Sequence, residues 1–109
     1  MADFVIVAKT NEIEPGQSRL IEAKGKQIAL FNVDGKFFAV QEVCPHKGGP
    51  IHDGKLEGQI VTCPWHHASF DVTNGRVLKI PFPPEYGTAT DLKKYEVVER
   101  PDGVYISTR

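Results

Sequence analysis

Gln27-Ile28-Ala29-Leu30-Phe31-Asn32-Val33-Asp34-Gly35-Lys36-Phe37-Phe38-Ala39-Val40 reads as two strands folded back on one another. Apolar, β-branched and aromatic residues fill Gln27 to Val33 and Lys36 to Val40. The Asp34-Gly35 pair between them tolerates the positive φ that a tight hairpin turn requires. Outward toward the N-terminus, the turn Lys24-Gly25-Lys26 leads back to a strand over Arg19 to Ala23, and Phe4 to Ala8 forms a first strand. Toward the C-terminus, short strands are expected at Gln59 to Thr62, Ala68 to Val72, Arg76 to Ile80, Lys94 to Glu99 and Val104 to Ser107. Thr73-Asn74-Gly75 and Pro101-Asp102-Gly103 supply turns between them. No stretch sustains a helical period, and the one helical feature is a weak turn near Pro50 to Gly54. The chain is therefore read as all-β.

Its 109 residues suit one domain, spanning 1–109, with a single modest core. A hydrophobic fraction of 40% and a charged fraction of 25% fit a folded globular protein. The net charge of −1 offers no field to hold a polyanion, so no nucleic-acid partner is expected. Apolar runs such as Phe4 to Ala8 and Ile28 to Phe31 fall far short of the roughly 20 residues a membrane helix needs, so no membrane partner is expected either. Met-Ala-Asp-Phe at the start lacks a basic region followed by an apolar one, so the expected location is cytoplasmic. Two cysteines allow at most one disulfide, which a reducing cytosol would not preserve. They point instead to ligation, reactivity or burial.

The middle of the chain, about 42–84, changes character. It holds both cysteines, all four histidines and the single tryptophan. Cys44-Pro45-His46 is followed, after sixteen residues, by Cys63-Pro64-Trp65-His66. Thiolate and imidazole together suit zinc or an iron–sulfur centre. A zinc finger groups its cysteines in one cluster and its histidines in the other, whereas each cluster here offers one of each. That mixed arrangement suits two irons, one taking Cys44 and Cys63 and the other His46 and His66, because each loop must then reach both. A structural zinc site in a binding module is the competing reading, ahead of two buried cysteines beside incidental histidines. A thioredoxin-like reading fails for want of Cys-x-x-Cys.

Cys44-Pro45-His46-Lys47-Gly48-Gly49-Pro50 and Cys63-Pro64-Trp65-His66 resemble the two cluster-binding loops of Rieske-type ferredoxins. The likeness extends across the chain. It implies one [2Fe–2S] cluster per chain, on stacked antiparallel β-sheets with a cluster-binding subdomain inserted over about 42–84. It also implies a carrier that takes single electrons from a flavin-dependent reductase to the terminal oxygenase of an aromatic-ring-hydroxylating system. The small subunit of an assimilatory nitrite reductase, working beside its large subunit, is the second redox reading. By the same likeness Pro81-Phe82-Pro83-Pro84 is the third loop, covering the cluster, and proline suits it by stiffening without adding a donor. Gly48, Gly49 and Gly54 are expected to let backbone amides approach sulfur.

With both irons fully ligated no position is left for substrate, so the chain is read as a carrier and not an enzyme. The oxidised cluster has no net charge and the reduced one a single negative charge, which favours reduction relative to an all-cysteine cluster. High-potential members of the family place disulfide cysteines and Ser and Tyr hydroxyls where Gly49, Trp65, Ala68 and Phe70 stand here. The resemblance therefore implies the low end of the Rieske range, roughly −150 to +300 mV, with Ser69 turned off the face of Ala68 and Phe70.

The remaining residues have plainer readings. His67 is a rim neighbour of His66, His52 a surface-loop residue, and Trp65 either a partner contact or a packing lid. Lys24 to Lys26 and Lys93-Lys94 read as solvated charges, and Asp71 with Arg76 as a local ion pair. Phe31, Phe37, Phe38 and Tyr95 read as core or sheet-face aromatics.

Overall fold

The structure, a computed structural model, describes residues 4–43, 50–64, 68–79 and 91–108. Among the described residues, eleven strands run in the order β1 (Phe4–Ala8), β2 (Ser18–Ala23), β3 (Lys26–Val33), β4 (Lys36–Gln41), β5 (Lys55–Glu57), β6 (Ile60–Thr62), β7 (Ser69–Asp71), β8 (Val77–Lys79), β9 (Lys94–Tyr95), β10 (Val97–Arg100) and β11 (Gly103–Ser107). One 3-10 turn, Ile51–Asp53, lies between β4 and β5. Every pairing among the described residues is antiparallel, in three sheets ordered β1-β11-β10, β2-β3-β4-β9 and β5-β6-β7-β8. The all-β reading holds.

The β3–β4 hairpin explains the layering. Asp34 and Gly35 have φ of 52° and 92°, the conformation of a two-residue hairpin turn, and the Gly35 N–H donates to Asn32 Oδ1 at 2.8 Å. The resulting register places Phe31 opposite Phe38, Leu30 opposite Ala39 and Ala29 opposite Val40. Because side chains alternate across a strand, Ala29, Phe31 and Val40 enter one buried cluster, and Ile28, Leu30, Phe37 and Ala39 enter the other. A sheet covered on both faces needs a nearly unbroken apolar run, and β3 has one.

The first cluster joins this middle sheet to Val61, Phe70 and Val72 of the β5–β8 region, with Ile51 and Leu92. The second joins it to Ala8, Val104 and Ile106 around the β1-β11-β10 sheet, with Ile13, Ile21 and Tyr95.

Two expectations change. Lys94 to Glu99 is not one strand: β9 pairs with β4 and β10 with β11, so the chain changes sheets at Glu96. Tyr95 packs into the second cluster from the middle sheet, and Ser107 N–H donates to the Glu96 carbonyl at 3.0 Å as the next sheet begins. β5 was not expected. Lys55–Glu57 has no β-branched residue and gains its strand form by pairing with β6 across a turn in which Gly58 has φ of 63°. Ile80, at the end of the strand expected over Arg76 to Ile80, lies outside the described residues.

Candidate metal centre

Three connections on the way through the β5–β8 region start and finish at paired backbone. Val43 and Pro50 form an antiparallel bridge, and Ile51 N–H donates to the Glu42 carbonyl at 2.8 Å, which together close the root of 44–49. Beyond the Thr62–Ser69 pair of the β6–β7 ladder, Cys63 N–H donates to the Ala68 carbonyl at 2.7 Å and closes the root of 64–67. The return from 80–90 is fixed where the Asp91 carboxylate accepts Val77 N–H at 2.9 Å and Leu92 N–H donates to Gly75 at 2.7 Å.

Gln41, at the end of β4, ties the first root to the third. Its amide nitrogen donates to the Val43 carbonyl and its oxygen accepts Lys93 N–H, each at 2.7 Å.

Of the four expected ligands, Cys63 lies among the described residues. It is fully buried beside Val61, Ala68 and Phe70, within the core that joins the β5–β8 sheet to the middle sheet. Cys44, His46 and His66 lie outside the described residues, as do Trp65, His67, Gly48, Gly49 and Pro81 to Pro84. A buried Cys63 at the root of the Cys-x-x-His segment, and a Cys-x-His segment bracketed by the Val43–Pro50 bridge, supply two sulfur and two imidazole donors, the kinds that fit a [2Fe–2S] cluster. Such a cluster stores and releases one electron, and the chain's part is to hold its sulfurs and exclude solvent.

A Rieske [2Fe–2S] domain model matches residues 3–96. The chain belongs to the Rieske [2Fe–2S] domain family. The domain implies one [2Fe–2S] cluster per chain, and the relatives that match it over most of their length are ferredoxin components, which carry electrons and are not themselves the catalytic subunits. Among curated proteins it is 39% identical over 105 residues to the 3-phenylpropionate/cinnamic acid dioxygenase ferredoxin subunit of Photorhabdus laumondii, covering 94% of this chain and 92% of that one. It is 33% identical over 95 residues to the ferredoxin component of the naphthalene 1,2-dioxygenase/salicylate 5-hydroxylase systems of a Ralstonia species, covering 87% and 86%. Among solved structures, the ferredoxin of carbazole 1,9a-dioxygenase from Nocardioides aromaticivorans superposes with a TM-score of 0.86 over 97% of this chain and 98% of that one, at 19% identity. That likeness establishes the fold.

Several residue-level expectations are revised around this Rieske site. Gly54 does not present its amide to sulfur, since its N–H donates to the Ile51 carbonyl at 3.0 Å. Glycine is required there because a Cβ would stand 2.5 Å from the Thr62 carbonyl oxygen.

His52 is not a plain surface residue. Its Nδ1 lies 2.5 Å from Glu42 Oε2 and its Nε2 3.3 Å from Asp53. Asp71 makes no ion pair with Arg76 among the described residues. Its carboxylate takes the Thr73 amide and hydroxyl at 2.9 and 2.6 Å and the Gln59 amide at 2.7 Å.

Lys93 and Lys26 are more than solvated charges, lying 5.1 and 6.0 Å from the Tyr95 ring centre. Ser69 behaves as expected: Ala68 and Phe70 are buried, while its hydroxyl faces Thr62 Oγ1 at 3.2 Å. Gln41 and Glu42 carry no motif, and their only sequence signal is polarity where an apolar strand ends just before Cys44.

Proposed function

We propose that this Rieske chain takes single electrons from a flavin-dependent reductase and delivers them to the terminal oxygenase of an aromatic-ring-hydroxylating system. Cys44 and Cys63 hold one iron and His46 and His66 the other, within a cluster-binding subdomain of about 42–84 in a single domain. A cytoplasmic location belongs to the same reading. The observation that carries it is the near full-length likeness to ferredoxin components of dioxygenase systems, with coverage above four-fifths of both chains in two curated relatives. The histidine-bound iron is the exchange point, because imidazole edges near the surface shorten the path to a docked partner.

Low potential is supported locally. Ala68 and Phe70 are buried beside Cys63 and have no hydroxyl to donate toward sulfur, and the Ser69 hydroxyl is turned to Thr62. Side-chain donors to sulfur raise a cluster's potential, so their absence at these two positions lowers it.

The test is electron paramagnetic resonance of the dithionite-reduced protein together with a redox titration. The expected outcome is a Rieske spectrum, with an average g value below that of an all-cysteine cluster, and a midpoint below about 0 mV within the Rieske range. A midpoint well above that overturns the low-potential reading. A colourless protein holding zinc without acid-labile sulfide overturns the whole reading.

A further inference from the structure

We propose that Glu42 is a positioning residue for the first cluster-binding loop, clamping both ends of 44–49 through its own backbone and through His52. Its carbonyl accepts Ile51 N–H at 2.8 Å, its Oε1 accepts His52 N–H at 2.9 Å, and its Oε2 lies 2.5 Å from His52 Nδ1. One residue therefore grips the chain just after the loop with main chain and side chain together. His52 is itself held, since its carbonyl accepts the Ser18 hydroxyl of β2 at 2.6 Å. A continuous path of bonds runs from β2 through His52 and Glu42 to the last turn before Cys44.

The placement is costly unless it is used. The Glu42 side chain is only 6% exposed, and a carboxylate so far removed from water is favourable only when its oxygens are occupied by donors. Packing alone would be served as well by an apolar residue of similar volume. Two oxygens aimed at two atoms of one residue fix distance and angle at the loop's root, and the neighbouring Val43–Pro50 bridge transmits that constraint to the backbone. The clamp thus acts on the residues that flank the Cys44-Pro45-His46 segment, Glu42 on one side and Ile51 and His52 on the other.

This inference rests on Cys44 and His46 being ligands, so its test separates the two claims. Holoprotein variants E42A, E42Q and H52A are compared with the parent chain by three measurements: the spectrum of the reduced cluster, the rate of visible bleaching in excess iron chelator, and the urea midpoint. E42A is expected to bleach about tenfold faster, the loss of a charge-assisted bond at the root, and to shift the spectrum. E42Q keeps an oxygen for His52 N–H and is expected to recover most of both properties. H52A retains the main-chain bond and is expected to fall between them.

A parent-like spectrum and bleaching rate in E42A overturn the proposal, as does an equal loss in E42A and E42Q that merely follows the urea midpoint. C44S is the control for the ligand assignment. Retention of the parent spectrum in C44S overturns that assignment and this proposal with it, whereas loss of the cluster in C44S beside an unchanged E42A overturns this proposal alone.

Discussion

Gly75 stands where the turn after β7 meets the returning chain. Its φ is 78°, and a Cβ on it would lie 2.3 Å from the Leu92 carbonyl oxygen. Both the backbone conformation and the space demand glycine. Gly75→Ala is expected to cost about 2–3 kcal/mol, measured by urea denaturation, because strain and overlap act together. Part of the effect falls on the site, since Leu92 is buried in the core around Cys63 and its N–H is held by the Gly75 carbonyl. At this scale the sequence is informative about kinds of residue and less so about partners. Cys44, His46, Cys63 and His66 are picked out by type and spacing. Glu42 and Gln41 are not, because what they do depends on bonds to His52 and Lys93, ten and fifty-two residues away in the chain.

The β7–β8 connection shows how one side chain shapes an element. Asp71 accepts from the Thr73 amide and hydroxyl and from Gln59 on the neighbouring turn, and its N–H pairs with the Arg76 carbonyl at 2.9 Å. Burial acts to raise the Asp71 pKa, but the Thr73 and Gln59 bonds outweigh it and hold the carboxyl below its ordinary 3.8. A depressed folded-state value stabilises the fold fully above the unfolded value, and the gain is lost as pH falls through the folded one. Asp71→Ala is expected to lower stability by about 1–3 kcal/mol at neutral pH. The gap from the parent should narrow once the pH drops below 3.8, as acid titration of both urea midpoints would show. Thr73-Asn74-Gly75 was legible as a turn from composition alone. The competition for Asp71 was not, because Thr73 and Gln59 offer neutral donors that charge matching overlooks. β5 and the break at Glu96 were hidden for a similar reason: pairing with a neighbour decided both, and neither is written in its own residues.

On the scale of the molecule, the middle sheet divides two cores. Phe70 belongs to the core that contains Cys63, and Ile106 to the core on the far face. Phe70→Leu and Ile106→Val are each expected to cost about 1 kcal/mol, so they form a matched pair. Only Phe70→Leu should change the spectrum of the reduced cluster, whereas Ile106→Val should leave it as in the parent. Equal spectral changes in both would show that the middle sheet does not insulate the site.

From sequence, Gln27 to Val40 reads as a hairpin and the stacking of sheets rests on the family resemblance; the structure shows why the run is so continuous, since both its faces are buried. The closed roots have a consequence for assembly. Six residues separate the bridged pair Val43 and Pro50, and four separate the bonded pair Cys63 and Ala68. The entropic cost of bringing the ends of each segment together is thus borne by the strands, before any metal arrives. Small zinc domains fold only when their ion binds. The closed roots therefore predict that the polypeptide stripped of iron and sulfide keeps its strands, which far-ultraviolet circular dichroism of the stripped protein would show as a retained β spectrum.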